Sequence, residues 1–195
     1  QFEGSTAENL TTPDDGGTTK FPLWGEANES LVFDGANDVI LASIQPNDSN
    51  QTLVVRFKAG ASQAGQYASL IGSSISTSRT YVTLNNGQVS GGLGATGAAT
   101  FKAGADLRGD GLWHTAAMSW ASGGDVFLYL DGAQIATVTK SGLASTYQYA
   151  IAGRNLSAGV NPTIDMPYTG EISHVGVFKA QLTGAQIADI HTKWS

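Results

Sequence analysis

The alternating pattern of residues 110–132 is the feature that most constrains the fold of this chain. Side chains of a strand point in turn to its two faces, so the even-numbered residues from His114 to Trp120 share one face. After a Ser-Gly-Gly turn, alternate residues from Val126 to Leu130 continue an apolar face, and an Asp-Gly turn follows. The segment therefore predicts two paired antiparallel strands.

Similar signals continue through the chain from residue 30. Short runs rich in Val, Ile, Leu, Phe and Tyr alternate with Gly, Asn and Asp turns, and no long helical pattern lies between them. The further predicted strands cover residues 31–33, 39–41, 52–58, 67–71, 81–84, 88–93, 134–139, 147–152 and 171–178. Many short strands without interleaved helices predict an all-β antiparallel sandwich or barrel rather than a βαβ sheet.

Both ends of the chain depart from this strand pattern. Residues 1–29 are polar and show no sustained period, which predicts an extended N-terminal arm. Its apolar cluster at residues 21–24 is expected to pack on the domain or on a neighbouring subunit. Near the other end, Thr183 and Gln186 have the spacing of a capping box, which predicts one short C-terminal helix that closes an end of the fold. The domain itself is then residues 30–195.

Charge and cysteine content limit the partners. Only 13% of residues are charged, the formal net charge is −6, and the 10 Lys and Arg residues form no basic run. Nucleic acids and anionic membranes attract clustered cations, so neither is an expected partner. The chain has no Cys, which excludes disulfides and thiolate metal sites. Its surface must be built largely from neutral hydrogen-bonding residues.

Several segments resemble the laminin-G-like and concanavalin-A-like jellyroll domains. They are residues 31–39, 110–114, 128–132, 170–178 and 182–187. In family terms they correspond to the opening strand, the central Trp-His strand, its Tyr-x-Asp-Gly partner, the closing strand and the short helix after it. The resemblance implies an antiparallel two-sheet β-sandwich of jellyroll type that binds glycans or proteins, often with a structural calcium ion.

A structural calcium ion is the one cofactor that the resemblance implies. Calcium prefers about six to eight oxygen ligands, so acidic residues in loops and turns are the candidates. They are Asp34, Asp38, Asp131 and Asp165. Asp next to Gly or Asn is also a common turn former, which is the alternative role for these residues.

The sequence shows no catalytic pattern. Glycoside hydrolases on this architecture need two carboxylates facing each other, yet four of the five Glu precede residue 30 and Glu171 stands alone in its strand. A Gly-x-Ser-x-Gly nucleophile turn is absent. His114 and His174 are expected to be hydrogen-bonded strand residues rather than bases. We therefore expect no catalytic residues, and a glycan-active enzyme is the lesser alternative.

Aromatic and polar side chains are the candidate ligand-binding residues. Trp113, Phe127 and Tyr129 lie on the hairpin face opposite the core, where aromatic rings among small polar residues suit the stacking of sugar rings. Packing beneath a covering segment such as the arm explains these rings equally well. Polar groups assigned to loop tips add candidates for binding hydroxyls or carboxylates. They are Arg79, Tyr81, Asn85, Asn86, Arg154 and Asn155.

The sequence thus predicts a non-catalytic recognition or adhesion module outside the cell or on a virion surface. Carbohydrate is the expected ligand, and a surface protein is the other partner class. The alternative is a structural surface protein, such as a phage capsid decoration or tail component. In that case the N-terminal arm would dock to a scaffold or to a second copy of the chain.

Overall fold

The predicted strands pair into two sheets in a computed structural model of the protein. The structure describes residues 23–24, 30–36, 38–46, 49–63, 65–75, 78–95, 101–139, 146–157 and 163–195. The described strands are β1 (Leu23–Trp24), β2 (Leu31–Asp34), β3 (Ile40–Leu41), β4 (Asn50–Ala59), β5 (Tyr67–Ser74), β6 (Ser78–Asn85), β7 (Gln88–Ala95), β8 (Phe101–Ala103), β9 (His114–Ala121), β10 (Asp125–Leu130), β11 (Ala133–Thr139), β12 (Ala150–Ile151), β13 (Arg154–Asn155), β14 (Ile164–Asp165) and β15 (Thr169–Phe178). The described helix is α1 (Gly184–Trp194).

The two sheets follow a jellyroll order. Among the described strands, the seven-stranded sheet runs β1-β2-β15-β4-β9-β10-β11. The eight-stranded sheet runs β14-β13-β5-β6-β7-β8, with β12 joining β5 to β3. The long strands pair antiparallel with their neighbours, and the short β13 runs parallel to β5. This confirms the predicted all-β two-sheet sandwich.

The core lies between the sheets and has the predicted alternation. In β9 the buried even-numbered residues from Ala116 to Trp120 join the core, and β10 adds Val126 and Leu128. The facing sheet supplies apolar residues such as Leu70 to the same cluster. Burial of these side chains removes apolar surface from water and is the main stabilising term for the two layers.

Two tight turns set the register of the hairpins. Asn86 and Gly87 join β6 to β7 with φ values of 50° and 80°. Asp131 and Gly132 join β10 to β11 with φ values of 50° and 77°. Positive φ at both central residues matches the right-handed twist of a hairpin, and the Asn-Gly and Asp-Gly pairs favour it. Both turns were predicted from the sequence.

Helix α1 packs on the outer face of the seven-stranded sheet. Its predicted capping box is present, since Thr183 and Gln186 each accept a hydrogen bond from the other's backbone N–H. Ile187 is fully buried against Val54, Ala117 and Tyr129. The expectation that the helix closes an end of the sandwich is therefore wrong. Val54 of β4, Ala117 of β9 and Tyr129 of β10 face away from the core and form an apolar strip. The helix packs on this strip and removes it from water.

Some short elements departed from the prediction. Strands β8, β13 and β14 are two or three residues long, too short to show a period, and only Ala150 and Ile151 of the predicted strand at residues 147–152 pair as β12. Of the residues assigned to the arm, Leu23 and Trp24 pair with β2. The rest of the arm lies outside the described residues, so its docking to a scaffold or a second copy stays a prediction. No described helix has the length and hydropathy needed to span a membrane.

Candidate functional site

The aromatic ligand-binding candidates are divided between the two sheets. Tyr81 lies in β6 of the eight-stranded sheet, on the side away from the core residues Val82 and Leu84. Phe127 and Tyr129 lie in β10 of the seven-stranded sheet. The sequence assigned Phe127 and Tyr129 to the outer face of the hairpin and Tyr81 to a loop tip, and each surface is described separately below.

A single row of residues crosses the eight-stranded sheet at Tyr81. Asp165 of β14 is opposite Arg154 of β13, and Arg154 is opposite Gly72 of β5. Gly72 is opposite Tyr81, and Tyr81 is opposite Gly92 of β7. The row therefore consists of an aspartate, an arginine, a glycine, a tyrosine and a second glycine, with one residue on each of five strands. A tyrosine with glycine on both sides has room to lie along the sheet.

The ring of Tyr81 lies flat over the β7 backbone. A Cβ atom built on Gly92 would lie 2.6 Å from Cζ and 2.9 Å from the hydroxyl oxygen of Tyr81. A Cβ atom on Gly72 would lie 3.1 Å from the Tyr81 Cβ and 3.2 Å from the Arg154 Cβ. A strand glycine often marks such a close approach. Any larger residue at either glycine would displace the ring or the arginine.

Two guanidinium groups lie next to the Tyr81 ring. The Cζ atoms of Arg79 and Arg154 are each 5.8 Å from its centroid, a distance at which a cation is attracted to an aromatic face. Arg154 also makes a two-point ion pair with Asp165. Its Nε donates a hydrogen bond to Oδ1 at 2.8 Å, and its Nη2 donates a second hydrogen bond to Oδ2. We call Ser69, Gly72, Arg79, Tyr81, Gly92 and Arg154 the tyrosine–arginine face.

Burial dominates the environment of the Tyr81 phenol. The side chain is 2% exposed, and burial raises the pKa of Tyr81, although the charges of Arg79 and Arg154 act to lower it. The ring is thus a neutral support for the cations rather than a stacking platform. Both arginines are partly exposed.

A buried hydroxyl group lies beside this row. Ser69 is 0% exposed, and its Oγ is a buried polar atom without a hydrogen-bond partner. It lies 2.7 Å from where a Cβ on Gly72 would be, the same point that the Tyr81 and Arg154 Cβ atoms approach. An unsatisfied buried hydroxyl costs about 1–3 kcal/mol.

Two of the three asparagine candidates, Asn85 and Asn155, have structural partners. Asn85 is 6% exposed, and its side-chain oxygen accepts a hydrogen bond from Gln66 Nε2 at 3.3 Å. Asn155 donates to the Gln148 carbonyl at 3.0 Å and accepts from the Ser157 amide at 3.0 Å. The polar candidates were also assigned to loop tips, whereas all but Asn86 lie in β6 or β13. These strands are what bring Arg79, Tyr81 and Arg154 together.

The hairpin aromatics serve mainly to hold the helix. Tyr129 is 4% exposed, and Phe127 packs against the same cluster beneath α1. The sequence alternative of packing beneath a covering segment therefore describes both residues, with α1 as the cover. Trp113 lies apart from them, with the Arg56 Cζ 4.5 Å and the Lys58 Nζ 5.4 Å from its ring.

The candidate acid Glu171 is held in an ion pair. One of its carboxylate oxygens contacts Lys58 Nζ, and the other accepts from Ser30 Oγ at 2.7 Å. Burial acts to raise the pKa of Glu171, but the hydrogen bonds from Lys58 and Ser30 outweigh it and the pKa is lowered. A lowered pKa favours a permanently ionised carboxylate, which is unsuited to general-acid work at neutral pH.

His114 links two loops, because its ring makes a hydrogen bond with one carboxylate in each loop. Its Nδ1 is 2.8 Å from Asp131 and its Nε2 is 2.9 Å from Asp110. The hydrogen bond with Asp131, aided by Asp110, raises the pKa of His114 against the effect of burial. His174, the other candidate base, stacks on Trp194 with ring centroids 5.1 Å apart. Both histidines thus have structural contacts, as the sequence predicted.

The candidate calcium ligands lie at separate places. Asp165 is paired with Arg154, and Asp131 is bound to His114. Asp34 and Asp38 close their own turn, because Asp38 accepts from the Asp34 amide at 3.0 Å. In the described part of the chain, no group of three or more His, Cys, Asp or Glu side chains is placed to hold a metal ion. As placed, these four carboxylates do not form a common calcium site, and calcium remains an expectation of the family resemblance alone.

Comparison with known proteins identifies the family. The model of the concanavalin A-like lectin/glucanases superfamily matches residues 33–188. The chain belongs to this superfamily. The match covers the strands from the end of β2 to β15 and the first half of α1, and it confirms the resemblance found in the sequence. No curated protein matches the chain.

Solved structures with the concanavalin A-like fold include several binding domains. The botulinum neurotoxin serotype D binding domain is 14% identical, with a TM-score of 0.61, over 84% of this chain and 42% of that one. The SAP-like pentraxin of Limulus polyphemus is 15% identical, with a TM-score of 0.60, over 83% and 81%. The CBM40 of the Ruminococcus gnavus IT-sialidase, bound to α2,3 sialyllactose, is 17% identical, with a TM-score of 0.56, over 73% and 83%. At these identities the likeness establishes the fold.

Sequence reasoning missed Ser69, Gly72 and Gly92 as members of the site. The signal that could have found the glycines is their position inside or next to predicted strands, since glycine weakens a strand unless something lies close to its backbone. Nothing in the sequence marked Ser69. Its importance depends on the lack of a partner, which only the three-dimensional contacts reveal.

Proposed function

We propose that this concanavalin A-like domain is a non-catalytic recognition module that binds carbohydrate at the tyrosine–arginine face. The observation that carries the proposal is the placement of Arg79 and Arg154 beside Tyr81, on the sheet surface turned away from the core. Arg154 is held in place by its two-point pair with Asp165, and the hydrogens of its Nη1 lie outside that pair. Preorganised donors lower the cost of ordering side chains on binding.

The chemistry of the face suits sugars. A guanidinium group is planar and presents its N–H groups in a fixed fork, which can bond two neighbouring ligand oxygens at once. Adjacent hydroxyls or a carboxylate of a sugar supply such oxygen pairs. The CBM40 module with α2,3 sialyllactose bound supports a carbohydrate role for this type of sandwich.

A binding role also agrees with the state of the acidic residues. Glu171 is engaged by Lys58 and Ser30, and Asp165 by Arg154. Hydrolysis by paired carboxylates needs one acid with a raised pKa facing a second carboxylate across the scissile bond. We propose that the module acts outside the cell or on a virion or cell surface, where glycans or surface proteins are displayed.

A glycan array tests this proposal. The wild-type chain should retain a defined subset of glycans, and Arg154→Gln should weaken that binding by about tenfold, equivalent to about 1.4 kcal/mol. Arg108→Gln is the matched control, because Arg108 makes a similar two-point pair with Asp106 at an exposed position outside the face. The proposal is wrong if no glycan is retained, or if both variants bind as the wild type does.

A further inference from the structure

We infer that His114 is a proton-operated clamp on residues 110–112. Its charged ring holds them against the turn between β10 and β11, and its neutral ring releases them. The clamp belongs to the seven-stranded sheet and the tyrosine–arginine face to the eight-stranded sheet, so the clamp does not depend on carbohydrate binding.

Both ring nitrogens of His114 face a carboxylate oxygen. Nδ1 lies 2.8 Å from Asp131 Oδ2, and Nε2 lies 2.9 Å from Asp110 Oδ2. An ionised carboxylate can only accept hydrogen bonds, and a neutral imidazole has one N–H donor and one bare nitrogen. Only the doubly protonated ring can therefore donate at both ends. The bare nitrogen of a neutral ring would set its lone pair against a carboxylate, and that contact becomes repulsive.

The two carboxylates stay ionised where a histidine titrates. Burial acts to raise the pKa of Asp110 and of Asp131, but hydrogen bonds from His114 and from a backbone amide outweigh it, so the pKa of each is lowered. The described groups whose charge acts on this cluster are these two acids and His191 of α1, which acts on Asp131. Strand β4 contributes the uncharged ring of Phe57, whose centroid is 6.0 Å from that of His114. Because His191 is also an imidazole, an experiment must follow each ring separately.

Asp131 is held more firmly than Asp110. Its Oδ1 accepts a hydrogen bond from the Thr115 amide at 2.8 Å, and its own amide donates to the Thr115 carbonyl at 2.8 Å. Asp110 Oδ1 accepts from the amide of Leu112, two residues away in the same loop, at 2.9 Å. When the ring loses one proton, the other should therefore stay on Nδ1, toward Asp131. The end of the clamp at Asp110 is then the one that opens.

The stretch that Asp110 holds lies in open surroundings. Leu112 is 61% exposed, and a Cβ atom built on Gly111 would meet nothing within 4 Å. The chain is fixed just before this stretch, where the Gly109 amide donates to the Ala59 carbonyl at 3.2 Å. In the described part of the chain, the Asp110 carboxylate makes the hydrogen bond that ties the stretch to another element. Its release frees a short loop with an exposed leucine and leaves the sandwich intact.

The direction of the pH dependence follows from the charge of the ring. The hydrogen bond with Asp131, aided by Asp110, raises the pKa of His114 above its usual 6.5 against the effect of burial. A raised pKa favours the charged ring, so the clamp is closed at pH values below the folded-state pKa. It opens as the pH rises through that value.

NMR titration of the whole chain from about pH 5 to about pH 9 tests the clamp. The ring-nitrogen shifts of His114 report its charge and its tautomer. They should show a midpoint above 6.5 and a neutral form with its proton on Nδ1. Through the same midpoint, the amide order parameters of Gly111 and Leu112 should fall from about 0.85, the value of rigid backbone, to below about 0.6. The variant His191→Gln should keep this step.

Asp110→Ala separates the clamp from a general effect of pH. Without that carboxylate, the order parameters of the two amides should be low at every pH, and the midpoint of His114 should fall. Asp106→Ala is the matched control, because Asp106 is an acid of the same loop that pairs with Arg108. It should keep the step. Urea unfolding of each variant checks that the sandwich is intact.

Order parameters that stay constant across the His114 midpoint in the wild type overturn the inference. A step that survives in Asp110→Ala, a step lost in His191→Gln and a neutral ring protonated on Nε2 each overturn it too. Every titration is run with calcium and with a chelator, and a step that needs calcium also overturns it, because Asp131 would then serve a metal ion. None of these outcomes bears on glycan binding at the tyrosine–arginine face.

Discussion

Substitution of Gly92 by Ala tests the geometry on which the binding face depends. The new Cβ would lie 2.6 Å from Cζ, 2.9 Å from the hydroxyl oxygen and 3.0 Å from Cε1 of Tyr81, whereas ordinary contacts begin at 3.4 Å. The ring must therefore move off the sheet by most of an ångström. Tyr81 is 2% exposed, so little free space is open to it. Overpacking of this kind costs about 1–3 kcal/mol.

Urea unfolding at 25 °C, followed by tryptophan fluorescence, measures this loss, and Trp120 in the core is a natural reporter. Gly65→Ala is the matched control, because a Cβ there meets nothing within 4 Å and both changes restrict the unfolded chain equally. We expect Gly92→Ala to fall below Gly65→Ala by about 1–3 kcal/mol in the free energy of unfolding. It should also weaken glycan binding, since the guanidinium groups lose their support.

A double-mutant cycle identifies the clash as the cause. In a Tyr81→Ala background the ring is gone, so Gly92→Ala should cost less than about 0.5 kcal/mol. An equal cost of Gly92→Ala with and without Tyr81 would refute the reasoning, because the loss would then come from the strand backbone. A Gly92→Ala protein as stable as the wild type would contradict the flat placement of the ring.

The remaining predictions concern the histidine, the helix and calcium. Because Asp131 and Asp110 raise the pKa of His114 above its usual 6.5, their stabilisation should be complete below pH 6.5 and be lost as the pH rises through the folded-state value. The urea midpoint should thus fall across that range in the wild type and fall less in Asp110→Asn; identical profiles would contradict this. Ile187→Ala should cost about 2–5 kcal/mol in urea unfolding, since the residue is 0% exposed beneath the helix, and a cost no larger than that of the less buried Ile190→Ala would place the helix elsewhere. A chelator should leave the melting temperature unchanged, because the candidate carboxylates are already engaged by other partners, and a large drop in calorimetry would show a calcium site.

The placement of helix α1 shows where local patterns stop being informative. The capping box of Thr183 and Gln186 predicted the helix start, and Ile187 predicted an apolar side. Neither says which surface receives that side. The receiving surface consists of outward-facing residues such as Val54 and Ala117, which lie on different strands far apart in the chain. Only the order of strands in the sheet makes them neighbours.

The binding candidates show the same division. Tyr81 and Arg154 were both named from the sequence, yet as separate polar groups at loop tips. Their approach depends on the parallel pairing of the two-residue strand β13 with β5, which is too short to carry a period of its own. The role of Ser69 depends on a missing hydrogen bond. No spacing of residues along the chain encodes either fact.

The sequence by itself determined the class of fold, the main hairpins and the residues of the core. These follow from the two-residue repeat of a strand and from Asn-Gly and Asp-Gly turns, which act between near neighbours in the chain. The tertiary structure alone decided which face the helix covers and which arginines lie beside the Tyr81 ring. The physical reason is that the order of strands and the hydrogen bonding of buried side chains depend on contacts between distant segments. Such contacts do not produce a periodic pattern in the sequence.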